Sequence, residues 1–194
     1  MELQPITLEG RHVRLEPLTE AHLGGLCAVG LAPDLWEFWP YKAGSAEEMA
    51  VYIRTALTEQ AAGVSLPFAT IERSSGKVVG STRFMNIDPA HRRVEIGSTW
   101  LASPWQRTAL NTEAKYLLLR HAFETLGCLR VELKTDTRNL RSRAAIRRIG
   151  ATEEGTLRQH MVLWNGRLRD TVYYSILDRE WPAAKAALEL KLSA

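Results

Sequence analysis

The sequence predicts one mixed α/β (α+β) domain with an antiparallel meander in its middle. Its 194 residues fit a single domain, which would bury roughly 70% of the surface that the unfolded chain exposes. Strand-like alternation and helix-like periodicity follow one another along the chain, and three strand-like segments in the middle are joined by short turns. No internal repeat, low-complexity stretch or linker divides the sequence, so the predicted domain covers residues 1–194.

The strands are predicted from alternating polar and apolar residues and from the turn signals between them. Asn165-Gly166, the strongest short hairpin signal, separates the last two strands. Strands are expected at 12–18, 66–72, 78–87, 93–101, 129–137, 159–164 and 168–177.

The helices are predicted from capping residues and from apolar positions at helical spacing. Ser45-Ala46-Glu47-Glu48 is a capping box that opens one helix. Asn111 is the expected cap of the helix at 112–126, and Asn139 that of an Arg-rich helix closed by Gly150. Helices are expected at 19–29, 46–62, 112–126 and 140–149, and again from residue 182.

Composition and charge exclude several classes of function. A net charge of +3 is too small to indicate a nucleic-acid-binding protein by itself. No apolar run approaches the ~20 residues that span a bilayer, and the first residues lack the features of a secretory signal. Cys27 and Cys128 are isolated and lack metal-ligand spacing. We therefore expect a cytoplasmic protein with no metal, no disulfide, no membrane partner and no direct nucleic-acid partner.

Two strand-to-helix junctions could bind an anion. A helix start leaves backbone N–H groups unpaired and carries a partial positive charge, which favours a pyrophosphate. Residues 102–111 and 135–139 each connect a strand to a helix, and the second helix carries an arginine cluster. A plain connection at the first junction, a structural cap at Asn139 and a solvated arginine face are the alternatives. Together the junctions favour a long ligand with phosphates at one end.

Several short motifs follow one another between residues 10 and 180. They are Glu95-Ile96-Gly97, Trp105-Gln106 with Asn111-Thr112-Glu113-Ala114, Asn139-Leu140-Arg141-Ser142, Ile149-Gly150-Ala151 with Glu154-Gly155, and the hairpin segment 169–175. In this combination the chain resembles the Gcn5-related N-acetyltransferases (GNAT), particularly the RimJ/RimL-like branch that acetylates the N-termini of ribosomal proteins. One departure is that residues 106–110 contain no glycine, although the family's phosphate loop usually does.

The resemblance implies a GNAT fold, in which helices flank one twisted, mostly antiparallel sheet and the central strands splay apart to bind acetyl-CoA. The expected partners are acetyl-CoA and the amine acceptor, and a homodimer is left open. The residues expected to bind acetyl-CoA are Trp100, Leu101, Gln106, Arg107, Thr108, Ala109, Leu110, Asn111, Thr112, Asn139, Arg143 and Arg148.

The resemblance also implies roles for individual residues in direct transfer of an acetyl group to a primary amine. Glu95 would accept the proton of the amine, unless its hydrogen bond is structural. The Ser142 hydroxyl would protonate the leaving thiolate, with Tyr173 as a weaker alternative, and a backbone N–H near Leu101 would polarise the thioester. The residues expected to bind the acceptor are Trp36, Phe38, Trp39, His160 and Tyr173.

Some of these interpretations have plainer alternatives. The aromatic residues at 36–41 could form a small separate core, and a lone histidine in a strand, His160, could be structural. The expected acceptor is the N-terminal α-amino group of a protein. A small-molecule amine is the alternative acceptor, and a non-catalytic CoA-binding module is the alternative function.

Overall fold

The computed structural model describes residues 3–193 and contains eight strands and five α-helices within them. The strands are β1 (Leu8–Glu9), β2 (Val13–Pro17), β3 (Ser65–Glu72), β4 (Val78–Asp88), β5 (Arg93–Leu101), β6 (Arg130–Asp136), β7 (Thr152–Val162) and β8 (Leu168–Leu177). The helices are α1 (Leu23–Gly30), α2 (Ala46–Ala61), α3 (Ala109–Arg120), α4 (Leu140–Arg148) and α5 (Trp181–Ser193).

All eight strands form one mixed sheet in the order β1-β2-β3-β4-β5-β6-β8-β7. Every neighbouring pair is antiparallel except β5 and β6, which are parallel and are connected through α3. A parallel pair needs a crossover connection, and a helix is the usual one. The predicted meander is therefore β3-β4-β5, and the parallel pair lies at the centre of the sheet.

The two central strands separate after only three paired residues. Arg93–Glu95 pair with Arg130–Glu132, and beyond Glu95 no residue of β5 has a partner on β6. On its other side β5 stays close to β4, because a Cβ at Gly80 would lie 2.1 Å from the Trp100 carbonyl oxygen. Ser98, with φ of +45°, adds a bulge opposite Thr82. The predicted splay is thus present, and it leaves one edge of β5 without strand hydrogen bonds.

Helices cover both faces of the sheet and enclose two apolar cores. The larger core lies between the sheet and α3 and α5, and its buried cluster includes Leu117, Leu118, Phe84 and Val131. The smaller core lies under α1 and α2 around Trp36. None of the helices within residues 3–193 combines the length and apolar character that a membrane span requires.

The largest differences from the predicted elements concern α3 and β7. The helix at 112–126 begins earlier, at Ala109, because the Thr108 hydroxyl accepts a hydrogen bond from the Leu110 N–H. Asn111 therefore lies inside the first turn, and its prediction as the cap is wrong. The helix also ends in a π-helical segment, His121–Thr125. Strand β7 begins at Thr152, seven residues before the predicted start. The prediction missed these residues because they are exposed and do not alternate between polar and apolar.

Glu113 fixes the start of α3 to the beginning of β2. Its buried carboxylate accepts hydrogen bonds from the backbone N–H groups of Arg11 (2.7 Å), His12 (2.6 Å) and Val13 (2.7 Å). Gly10 is required beside it, since a Cβ there would lie 2.4 Å from the Glu113 carboxyl carbon. Three backbone donors are thereby satisfied by one side chain.

We expect Glu113→Ala to lower the free energy of unfolding by about 3–5 kcal/mol, because it leaves three N–H groups without an acceptor. Glu113→Gln, which keeps one acceptor oxygen, should lose roughly half as much. Urea unfolding followed by tryptophan fluorescence measures both, with the exposed Glu47→Ala as the control. A loss for Glu113→Ala no larger than that of the control would contradict this role.

Candidate active site between the diverging strands

The separation of β5 and β6 opens a cleft of about 510 Å³. Its walls come from both strands, from the starts of α3 and α4, and from the aromatic loop before α2. It extends from the loop at residues 106–108 to Phe38, Trp39 and Tyr41. One continuous cleft therefore joins the two predicted anion-binding junctions to the predicted acceptor wall.

The loop before α3 reaches its conformation without glycine. Arg107 has a φ of +62°, a left-handed conformation that glycine adopts without steric cost. Gln106 secures the loop, because its Nε2 donates to the Leu101 carbonyl oxygen (2.8 Å) and its Oε1 accepts from Arg141 Nη1 (3.1 Å). The Thr108 hydroxyl donates to the Trp105 carbonyl oxygen (2.8 Å).

Only part of the predicted loop faces the cleft. Gln106, Arg107, Thr108 and Asn111 line it, as do Trp100 and Leu101 on β5. The other three predicted residues do not line it: Ala109, Leu110 and Thr112. Leu110 packs in the larger core and Thr112 is buried, because one side of α3 must cover the sheet.

The start of α4 presents a second set of groups to the cleft. Asn139 caps the helix as predicted, with its Oδ1 accepting from the Ser142 N–H (3.0 Å). Asn139, Ser142 and Arg148 all line the cleft, and so does Arg141.

Arg143 differs from the prediction, since it does not line the cleft. Its guanidinium donates to the Tyr174 hydroxyl (3.1 Å) and to Glu153 Oε2 (3.3 Å), on the side of α4 that faces β7 and β8. Arg141, two residues earlier, takes the position on the cleft. The arginine cluster thus divides between a cleft-facing side and a structural side.

Glu95 is a buried carboxylate at the point where the strands separate. Its side chain is 2% exposed, and Oε2 accepts from Asn86 Nδ2 (2.7 Å) and Lys134 Nζ (3.0 Å). Asn86 points inward from a bulge of β4 where its φ is +49°. A side chain at Gly97 would crowd this carboxylate, because a Cβ there would lie 2.9 Å from Glu95 Oε1. The position of the Glu95 carboxylate therefore depends on its hydrogen-bond donors, Asn86 and Lys134, and on the space that Gly97 leaves beside it.

Lys115 is a second buried titratable group in the cleft, and no sequence pattern indicated it. Its Nζ donates to Thr99 Oγ1 (2.7 Å), which also contacts Thr82 Oγ1 at 2.7 Å. Burial lowers the pKa of Lys115 to about 7, and the negative charge of Glu95 opposes this shift only in part. In the sequence Lys115 resembles any polar residue of an amphipathic helix; only the position of α3 under the gap distinguishes it.

The aromatic loop supplies the far wall of the cleft. Phe38, Trp39 and Tyr41 line it, and Arg169 Nη1 donates to the Phe38 carbonyl oxygen (3.1 Å). Desolvation of the Tyr41 hydroxyl raises its pKa, although 36% of the surface of this residue is exposed. Arg169 also lines the cleft, and burial lowers its pKa.

Three residues predicted to bind the acceptor lie away from the cleft surface. Trp36 is fully buried in the smaller core, where its Nε1 donates to the Gly30 carbonyl oxygen (2.9 Å), so it is a core residue. His160 and Tyr173 form an edge-to-face pair with centroids 5.9 Å apart. They touch the cleft indirectly, since Lys134 Nζ lies 5.7 Å from the centre of the Tyr173 ring. Burial and the nearby Lys134 lower the pKa of His160.

The fold and the cleft are those of a known domain family. The chain belongs to the acetyltransferase (GNAT) domain family, which matches residues 12–152. A GCN5-related N-acetyltransferase from Brucella melitensis is 37% identical, with a TM-score of 0.91 over 98% of this chain and 86% of that one. RimJ from Mycobacterium smegmatis, in complex with CoA-disulfide, is 24% identical with a TM-score of 0.84 over 96% of this chain and 95% of that one, and shows the shared fold.

A curated relative from Bacillus subtilis (strain 168) bears the name "Putative ribosomal N-acetyltransferase YdaF". It is 38% identical over 110 residues, which are 57% of this chain and 59% of that protein. The matches span about three fifths of the curated relatives' length. The predicted family, its likeness to the RimJ/RimL-like branch and the GNAT fold are confirmed.

The pKa of Lys115 leads to a stability prediction. Its pKa near 7 in the folded protein lies below the usual value, so the unfolded chain binds more protons between about pH 7 and about pH 10.4. The cost of burying the ammonium is complete below about pH 7 and disappears as the pH rises towards 10.4.

Lys115→Met, which keeps the length of the side chain, should therefore raise the free energy of unfolding by about 3 kcal/mol near pH 6 and by less near pH 9. Urea unfolding at both values measures this, with the exposed Lys77→Met as the control. A destabilised Lys115→Met protein, or a gain that is the same at both values, would show that the buried amine carries no such cost.

Proposed function

We propose that this protein transfers the acetyl group of acetyl-CoA directly to a primary amine, and that the acceptor is the N-terminal α-amino group of a protein. The observation that carries the proposal is the continuous cleft between β5 and β6. It has two helix starts with arginines at one end, and a buried carboxylate beside an aromatic wall at the other.

The residues present suit acetyl-CoA. The starts of α3 and α4 offer N–H groups, and Arg107, Arg141 and Arg148 add charges that favour phosphates. The unpaired edge of β5 after Glu95 offers backbone groups to an amide-containing arm such as pantetheine. RimJ from Mycobacterium smegmatis, which shares this fold, was solved with CoA-disulfide. When bound, acetyl-CoA supplies the activated acyl group.

The chain's own residues would manage the protons. Glu95 faces the cleft with one oxygen held by Asn86 and Lys134, so its carboxylate has a fixed direction and would receive the proton of the acceptor amine. Ser142 lies in the first turn of α4, where it lines the cleft, and its hydroxyl would give a proton to the leaving sulfur. A backbone N–H near Leu101, on the unpaired edge of β5, would stabilise negative charge on the acyl oxygen.

The chemistry of the amine favours an α-amino acceptor. An α-amino group has a pKa of roughly 7.7–8.0, whereas a lysine amine has a pKa of about 10.4, so more of the former is neutral at pH 7. The name of the relative YdaF refers to a ribosomal acceptor, and such an acceptor would place the reaction in the cytoplasm. A small-molecule amine remains the alternative acceptor.

Acetyl-CoA should raise the melting temperature of the protein, because it binds the native state. With acetyl-CoA present, peptides with a free N-terminus should release CoA faster than the same peptides with a blocked N-terminus and a free lysine, and faster than polyamines, aminoglycosides or amino acids. A preference for a small amine would refute the acceptor assignment. The absence of both thermal shift and CoA release would refute the function.

Glu95→Gln should lower the rate near neutral pH by at least about 100-fold, with partial recovery as the pH rises, because a base is lost. Ser142→Ala should slow turnover without changing acetyl-CoA affinity. A pH–rate profile with a peptide acceptor and saturating acetyl-CoA tests both. Glu132→Gln, which alters the carboxylate paired with Glu95 across the sheet, is the matched control. A Glu95→Gln profile within a factor of two of the parent would make Glu95 structural.

A further inference from the structure

We propose that Lys115 makes binding of the acyl donor proton-linked: its Nζ must be neutral when the gap between β5 and β6 is filled, so acetyl-CoA binding releases a proton from this side chain. This inference rests on the proposed use of acetyl-CoA and assigns a further positioning residue to that site.

The geometry places the amine under the open part of the gap. Lys115 lies in the second turn of α3, is 7% exposed and lines the cleft. Its Nζ reaches Thr99, which belongs to the segment of β5 that has no partner on β6. The amine therefore supports the unpaired strand from below, next to the backbone groups that a donor would contact.

The partners of Lys115 are neutral. Thr99 Oγ1 contacts Thr82 Oγ1 and donates to the Gly97 carbonyl oxygen (3.3 Å), so the amine belongs to a chain of hydroxyl groups. Among the ion pairs within residues 3–193, none includes Lys115. Glu95, the nearby carboxylate, is paired with Lys134 instead. A charged Nζ would thus be buried without a counter-charge of its own.

The remaining charges around the cleft do not supply that counter-charge. On its own helix, Glu113 is engaged by three backbone N–H groups, and burial lowers the pKa of His121. The other titratable side chains that line the cleft are Asp34, Tyr41, Glu95, Arg107, Lys134, Arg141, Arg148 and Arg169. Five of these eight are cations, which disfavour a further positive charge.

A bound donor would remove the remaining water from the gap. Its thioester and pantetheine arm are neutral, and its phosphates would meet the arginines at the helix starts. Loss of water disfavours the charged form of a buried amine, so the pKa of Lys115, already near 7, should fall further on binding. Below about pH 7 the free protein carries the proton and the complex does not. Affinity should therefore increase as the pH rises to about 7 and level off above it.

Isothermal titration calorimetry without an acceptor tests the linkage. Titrations in two buffers of different ionisation enthalpy give the number of protons released. The probe is acetyl-dephospho-CoA, because the 3′-phosphate of acetyl-CoA itself titrates near pH 6. We expect release of about one proton near pH 6, none near pH 8.5, and a dissociation constant that falls roughly tenfold per pH unit between pH 5 and 7.

Variants assign the proton to its source. Lys115→Met should bind with little proton release and a flat pH dependence, whereas His160→Asn, which removes a histidine close to the cleft, should keep the release of the parent. Binding by the parent without proton release, or unchanged release in Lys115→Met, would overturn the linkage and leave the proposed function intact. The absence of binding at any pH, with either acetyl-CoA or its dephospho form, would overturn both.

Discussion

The end of hydrogen bonding between β5 and β6 after Glu95 is the constraint on which the site depends. Each strand is held by its other neighbour: β6 pairs with β8 along its whole length, and β5 follows β4 past Gly80. Neither strand can move to close the gap without losing those bonds. The backbone N–H and C=O groups of β5 after Glu95 have no partner on β6. Since buried backbone groups are normally hydrogen-bonded, this edge suits a ligand that carries amide groups.

The same gap explains why the buried side chains of Glu95 and Lys115 have different hydrogen-bond partners. Glu95 lies where the strands still meet, so side chains from both adjacent strands, Asn86 and Lys134, reach its carboxylate. Lys115 lies below the part where they have separated, and its amine donates to the hydroxyl of Thr99, which in turn contacts the hydroxyl of Thr82. The carboxylate is held by two hydrogen-bond donors, while burial lowers the pKa of the Lys115 amine. Such opposed environments are typical of sites that transfer protons.

Local chemistry in the sequence was sufficient to predict most elements, but not which side chains face the cleft. The capping role of Asn139 follows from its own side chain and was predicted correctly. The choice between Arg141 and Arg143 depends on how α4 is rotated against β8, which no local pattern contains. Asn111 was wrongly assigned as the cap, because Thr108, three residues earlier, is an equally good capping residue in the sequence and is the one that caps the helix. Trp36 became core because the loop folds back under α1.

The carboxylate of Glu113 also has a consequence for the order in which the chain folds. It joins residues about one hundred positions apart in the sequence, so the α3 helix cannot complete its contacts until the N-terminal strand has arrived. Contacts of such large sequence separation slow folding, because the entropy of closing a long loop is lost before the hydrogen bonds form. An intermediate without β2 would bury a carboxylate that lacks donors, which makes assembly of the two halves of the sheet cooperative.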